Sequence, residues 1–268
     1  MQQKVIDIRK QILNSNSKLL KNMPDPVLSL LERIVRQDEM NFMLSKYSQN
    51  SGVDFLSNIL TEMDIRIDVQ GIENLPDHSK CFFVANHPFG IADGLVLTNI
   101  VAQKYGELKA IGNDVFMLIP QMRPIIAAVS VFGKNSREYY VELEKVYKSD
   151  IAITHFPAGL VSRISKFKVA ESTWKKSFIT KSVECQRDIV PIHFVGRNSI
   201  LFYSVFKFRK ALGINATLEL ALLPHEFFNK RNRTIKVVIG RPISYKTFNN
   251  NKSNEEWAQW VKNQCLAN

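Results

Sequence analysis

The sequence predicts an α/β fold: a mixed sheet flanked by helices, with a helical segment in front of it. Two observations carry that prediction. Residues 1–63 show only the apolar spacing of helices, broken at Pro24 and Pro26. From Asp64 onward, apolar runs of strand length alternate with longer stretches of helical period, the pattern of a sheet covered by helices. No linker-like stretch interrupts the second part. The chain therefore divides into an N-terminal helical segment at 1–63, open to membrane contact or to packing on its neighbour, and an α/β domain at 64–268.

The elements follow in order. Val5, Ile8, Ile12, Leu19 and Leu20 give a basic, loosely amphipathic stretch, a composition suited to a membrane surface. Val27, Leu28, Leu30, Leu31, Ile34 and Val35 keep helical period, as do Phe55, Leu56, Ile59 and Leu60 within 52–63. Ile65, Ile67 and Val69 alternate with polar residues as a strand does. A buried strand at Cys81 runs into a helix from Asp93, and a strand follows at 108–111. Residues 115–132, cut by Pro120, Gln121, Arg123 and Pro124, read as a helical turn, a loop and a strand at 125–132. Helices are predicted at 136–147, 172–185, 199–212 and 254–266, and strands at 151–155, 189–195, 216–223 and 235–239. Trp174 and Phe178 sit at helical spacing and are read as core.

Charge narrows the partners. The chain carries 36 Lys and Arg against 25 Asp and Glu, a net charge of +11, with a pI near 9.5. Such a surface favours an anionic membrane, an acidic carrier protein or nucleic acid. No nucleic-acid-binding motif accompanies the charge, and the phenylalanines fall in core-like patterns rather than among the basic residues, so nucleic acid is set aside. Cys81, Cys185 and Cys265 are far apart and odd in number. They fit free thiols in a reducing compartment, and no zinc-type spacing implies a metal. The N-terminus is too polar for a secretory signal, and no apolar run is long enough to span a bilayer. The expectation is a cytoplasmic protein, peripheral at the inner face of the cell membrane.

The chemistry concentrates in one loop. The apolar run from Cys81 ends in Asn86 and His87, turns through Pro88, Phe89 and Gly90, and resumes as a helix after Asp93. A histidine at a strand end thus faces a carboxylate at a helix start. A carboxylate that holds one imidazole nitrogen leaves the other free as a base. No serine or cysteine nucleophile lies in the loop, so the pair suits deprotonation of a bound hydroxyl or amine. A second turn follows the strand at 151–155: Phe156, Pro157, Ala158 and Gly159, then Ser162 and Arg163. Gly159 suits a positive φ, and backbone amides in this turn are placed to stabilise an oxyanion. His155 and His193 lie on apolar strands and read as hydrogen-bonded core histidines.

These blocks resemble the glycerolipid (lysophospholipid) acyltransferases. Asn86 to Asp93 is similar to their His/Asp motif, residues 156–159 to their Phe-Pro-Glu-Gly block, and Val190-Pro191-Ile192 to their last block. Lys134 and Arg137 stand where the family binds its acceptor. Order and spacing agree over about residues 70–245, and the wording is closest to the hemolysin-like branch, which includes acyltransferases of ornithine and glycine lipids.

The resemblance implies the family's α/β fold and transfer of a fatty acyl group from a thioester to a lyso-lipid hydroxyl. His87 would be the base and Asp93 its orienting partner. Asn86, Pro88, Phe89, Gly90, Lys134, Arg137, Phe156, Pro157, Gly159, Ser162 and Arg163 would line the substrate site. The donor would be acyl-carrier protein or acyl-coenzyme A, with no tightly bound cofactor and no metal.

Two departures from the family's pattern matter, the first in the loop and the second at the acceptor. Five residues separate His87 from Asp93 where the family has four. Ala158 and Val161 replace the family's Glu and Arg, which help hold an acceptor phosphate. The expected acceptor is a lyso-amino-acid lipid. The alternatives are lysophosphatidic acid, acylation of an amine, and a non-enzymatic, hemolysin-like membrane-binding protein.

Overall fold

A computed structural model describes residues 4–14, 21–129, 137–165, 168–213 and 217–267. In chain order the elements are α1 (Ile8–Asn14), α2 (Asp25–Ile34), α3 (Gln37–Lys46), α4 (Gly52–Glu62), β1 (Arg66–Gln70), β2 (Cys81–Ala85), α5 (Ile91–Tyr105), β3 (Leu108–Asn113) and β4 (Ile126–Val129). There follow α6 (Arg137–Lys148), β5 (Ala152–His155), β6 (Arg163–Ser165), β7 (Lys168–Ala170), α7 (Ser177–Cys185), β8 (Asp188–Val195), α8 (Ile200–Ala211), α9 (Leu223–Phe228), β9 (Thr234–Ile239) and α10 (Asn254–Ala267).

Seven strands form one sheet in the order β1-β9-β8-β2-β5-β3-β4. All neighbours are parallel except β8 and β9, so the sheet is mixed as the sequence predicts. β2 is the middle strand and every residue in it is buried. A strand covered on both faces must be apolar throughout, and Cys-Phe-Phe-Val-Ala meets that demand. Its alternate side chains split between two cores. Cys81, Phe83 and Ala85 pack with α4 and α5; Phe82 and Val84 pack with α7 and α10. The carboxyl end of this central strand delivers Asn86 and His87.

α3 and α4 bury Met43, Leu44, Phe55, Leu56, Ile59 and Leu60 in the same core as β2 and α5. The packing alternative therefore describes these two helices. From α3, the Asn41 and Gln37 side chains accept the backbone amides of Val5, Ile6 and Ile8.

Two predicted elements change. The helix expected from residue 172 starts at Ser177. Ahead of it, the Trp174 backbone bonds the Gln259 side chain through its N–H (3.4 Å) and its carbonyl (2.8 Å), which holds the segment out of the helix and buries the indole. The strand expected at 216–223 is not formed by its described residues: Leu218–Leu222 is a 3-10 turn leading into α9, and residue 216 lies outside the described residues. Within it Glu219 is fully buried between Arg163 and Arg209. The hairpin β6–β7 was absent from the sequence reading. Of the strand expected at 125–132, β4 covers the middle, and 130–132 lie outside the described residues.

Arg187 locks the sheet to the α6 end. Fully buried, it donates to the carbonyls of Tyr147 (2.7 Å), Ile151 (2.9 Å), Val146 (3.2 Å) and Ser149. A cation here satisfies carbonyls that the helix end leaves open.

Candidate active site

Gly90 lets the chain turn from β2 into α5. Its φ is +85°, and a β-carbon there would stand 2.8 Å from Leu223 Cδ2, so both backbone and space call for glycine. The turn brings Asp93, in the first helical turn, back over the loop. Asp93 is fully buried, and its Oδ2 accepts from His87 Nδ1 (2.9 Å), Phe89 N (2.8 Å) and Gly90 N (2.9 Å). Its other oxygen, Oδ1, is buried without a hydrogen-bond partner. Three donors and a helix N-terminus support the carboxylate charge. The five-residue spacing is thus absorbed in the loop, and the pair meets.

With Nδ1–H directed at Asp93, the basic lone pair of His87 lies on Nε2. Among the described residues none hydrogen-bonds Nε2, and the side chain is 18% exposed. The ring stacks on Phe156, with centroids 4.0 Å apart and planes at 26°. The His87 backbone is also fixed. Its carbonyl accepts Ser162 N (2.8 Å), and its N–H donates to Glu171 Oε2 (3.3 Å). The arrangement is an imidazole with one open nitrogen, held by strand, helix and turn.

The remaining expected residues divide into neighbours of this imidazole and parts of its frame. Phe156 touches the imidazole. Pro157 is buried, and its carbonyl accepts Lys175 N at 3.0 Å. Gly159 has the predicted positive φ, +65°, but its N–H donates to Phe156 O (2.9 Å), so this amide closes the turn and is not open to an oxyanion. Asn86 does not present its amide to a ligand: Nδ2 donates to Phe194 O (3.0 Å) and Oδ1 accepts Phe194 N (2.7 Å), extending the β2–β8 ladder by a side chain. Pro88 and Phe89 are buried, Phe89 against Gly196 and beneath Lys230, whose Nζ lies 4.0 Å from the ring centroid. The Ser162 hydroxyl donates to Glu171 Oε2 at 2.5 Å. Arg163 pairs with Glu219 (3.1 Å), donates to Val161 O (2.7 Å) and lies over the rings of Phe202 and Phe206, so its guanidinium is committed to the frame. Arg137 opens α6; its side chain, like Lys134 and Lys166, lies outside what is described.

The sequence reading missed Glu171, Lys230 and Asn198. Glu171 joins the Ser162 hydroxyl, the His87 amide and the Trp174 indole (3.3 Å). Burial pushes the Lys230 ammonium down from its ordinary pKa, while Glu226 and Asp93 hold it up in part. His155 also departs from expectation: its Nδ1 is buried without a partner, and burial, with Lys175 nearby, lowers its pKa to about 4. No group of three or more His, Cys, Asp or Glu among the described residues is arranged to hold a metal ion.

Residues 11–267 match the family described as acyltransferase. The chain belongs to the acyltransferase family. Its relatives agree. The lyso-glycine lipid O-acyltransferase of Phocaeicola vulgatus is 39% identical over 259 residues, spanning 96% of this chain and 93% of the relative. The lyso-glycine lipid O-acyltransferase of Bacteroides thetaiotaomicron is 38% identical over 259 residues, spanning 96% and 95%. Among solved structures, the 1-acyl-sn-glycerophosphate (LPA) acyltransferase PlsC from Thermotoga maritima aligns at a TM-score of 0.48 with 16% identity, covering 91% of this chain and 97% of that one. The protein is an acyltransferase, and its mixed α/β sheet presents the His87–Asp93 pair at the end of the central strand.

Proposed function

We propose that this acyltransferase moves a fatty acyl group from a thioester of acyl-carrier protein or coenzyme A to the free hydroxyl of a lyso-amino-acid lipid. The carrying observation is the open Nε2 of His87, whose ring is oriented by Asp93 at 2.9 Å, while the nearby Ser162 hydroxyl is engaged by Glu171. His87 Nε2 takes the proton of the acceptor hydroxyl as its oxygen attacks the thioester carbonyl. The new C–O ester bond forms, the C–S bond breaks, and the imidazolium returns its proton to the leaving thiolate. Asp93 stabilises the imidazolium between these two events.

The acceptor assignment draws on the chain's own substitutions and on the lyso-glycine lipid named for its relatives. A dianionic phosphate needs several charge-assisted contacts to offset lost hydration. Ala158 and Val161 offer none, and Arg163 is held by Glu219. An amino-acid lipid presents one carboxylate and asks less.

A lipid acceptor also implies a membrane surface. No helix among the described residues is long and apolar enough to cross one. α8 supports an interfacial reading. Its inner face buries Phe202, Tyr203 and Phe206, while Ile200, Leu201, Phe208 and Leu212 are exposed, Phe208 at 68%. Lys210 and the +11 charge add attraction to anionic lipid. The inner face of α8 packs on Val161, one residue before the Ser162 that holds His87. The cytoplasmic, inner-face location belongs to the same proposal.

The test is turnover of lyso-glycine lipid and lysophosphatidic acid side by side with one acyl thioester. Faster acylation of the lyso-glycine lipid supports the reading; faster acylation of lysophosphatidic acid rejects the acceptor and leaves the His87 chemistry standing.

A further inference from the structure

Beside the catalytic loop lies a set of polar groups that the mechanism does not use. The segment after β8 runs through Gly196, Arg197, Asn198 and Ser199 into α8. Gly196 lies against the Phe89 ring, and the Arg197 carbonyl accepts Lys230 Nζ at 3.3 Å. Asn198 is 3% exposed, and both atoms of its carboxamide are buried with no hydrogen-bond partner; only its backbone N–H is engaged, by Tyr203 Oη at 3.3 Å. A buried amide with neither group satisfied is rare in folded proteins and calls for a missing partner.

Lys230 presents the matching charge. Its ammonium carries three donors. One reaches the Arg197 carbonyl, and the cation lies over Phe89, two residues from the base. No carboxylate among the described residues is within 4.0 Å of it. The nearby acids are already engaged: Glu226 by Ser199 N (2.8 Å) and Oγ (2.5 Å), Asp93 by its three donors. A half-buried ammonium with open donors, bonded to the carbonyl of the residue that precedes an unsatisfied carboxamide, matches a ligand that combines a monoanion with an amide.

We propose that Lys230 and Asn198 form the binding site for the acceptor's head, Lys230 taking the carboxylate and Asn198 the adjoining amide of an N-acylated amino acid. This rests on the lyso-amino-acid lipid reading. It moves recognition from Arg163, which the frame occupies, to residues outside the family-like blocks.

The experiment is direct binding of an N-acylglycine that lacks the hydroxyl, and of its methyl ester, to the full chain and to the variants Lys230→Met and Asn198→Leu. The wild-type protein binds the acid at least tenfold more tightly than the ester. Lys230→Met removes that preference and leaves ester affinity unchanged, and Asn198→Leu weakens both ligands. With the hydroxylated acceptor, Lys230→Met raises KM at nearly constant kcat. Absence of an acid preference in the wild type, unchanged acid affinity in either variant, or an equal drop of kcat for acid and ester acceptors overturns the proposal, the last assigning Lys230 to support of Asp93. Tight binding of the N-acylglycine without acylation of its hydroxylated form rejects the proposed function and leaves the binding site standing.

Discussion

Asp93 Oδ2 stands 2.9 Å from His87 Nδ1 and closes the first turn of α5 with the same oxygen. Removing the base should therefore abolish chemistry, whereas removing the carboxylate should damage both chemistry and fold. His87→Ala is expected to lower kcat by about 10²–10⁴ with an unchanged melting transition. Asp93→Asn is expected to lower kcat by about 10² or more and also to lower the melting temperature. Near-normal turnover of His87→Ala, measured as thiol release from an acyl thioester, would remove the mechanism.

Gly196→Ala tests the support of the loop from its far side. A β-carbon there stands 2.4 Å from Phe89 Cζ, and φ is +146°. The ring must move, at roughly 1–3 kcal/mol of stability. Since Phe89 is two residues from the base, kcat should fall more than the stability loss explains. Pairing the change with Phe89→Leu should recover part of both; no recovery would mean that backbone strain alone is at work.

Arg187→Met tests the frame away from the site. The change leaves the carbonyls of Tyr147, Val146, Ser149 and Ile151 without their shared donor. A loss of about 3 kcal/mol or more is expected, a melting shift on the order of 10 °C. Activity per folded molecule should be retained at low temperature. A shift within a degree or two would show that water replaces the guanidinium without penalty.

His155 predicts a pH dependence of stability. Its pKa in the fold is about 4, against an ordinary value of 6.5, because burial disfavours the cation. The unfolded chain takes up the proton first as pH falls. The contribution is therefore complete above about 6.5, shrinks as pH drops and is gone below about 4. His155→Leu should flatten the denaturation midpoint across that window, relative to wild type, by roughly 1–2 kcal/mol at pH 5. Parallel curves for the two proteins would deny the imidazole that role.

The exposed face of α8 predicts where the membrane touches. Leu201→Ser with Phe208→Ser should weaken binding to anionic vesicles by tenfold or more, since each large apolar side chain is worth about 1.5–3 kcal/mol when buried. Binding of the unaltered protein should also weaken as salt rises. Sedimentation with vesicles measures both. Full binding by the double variant would place the contact elsewhere, with the basic N-terminal stretch next to be tested.

Much of this molecule was legible from residue order. β2 announced itself because a strand buried on both faces must be apolar throughout. The His87–Asp93 contact was legible because a strand end and a helix start joined by a short Pro/Gly loop have few ways to lie. Illegible were pairings between segments distant in sequence. Glu219 reads as a solvent residue until Arg163 and Arg209 are brought to it by the packing of α8. Glu171 reaches the His87 amide across 84 positions, and Lys230 meets Phe89 only once β8 and α9 are in place. Arg163 illustrates the converse: its position in a recognisable block said nothing of the buried acid waiting for it.

The shared duty of Asp93 Oδ2 restricts how the protein can vary over time. An enzyme whose orienting carboxylate serves only the imidazole can drift through slow but well-folded intermediates and regain the acid from another position. Here a lineage that loses Asp93 loses the start of a central helix in the same step. Purifying selection on this position therefore acts through protein abundance as well as through turnover, and it should persist even in descendants that no longer need the reaction, for as long as they keep the fold.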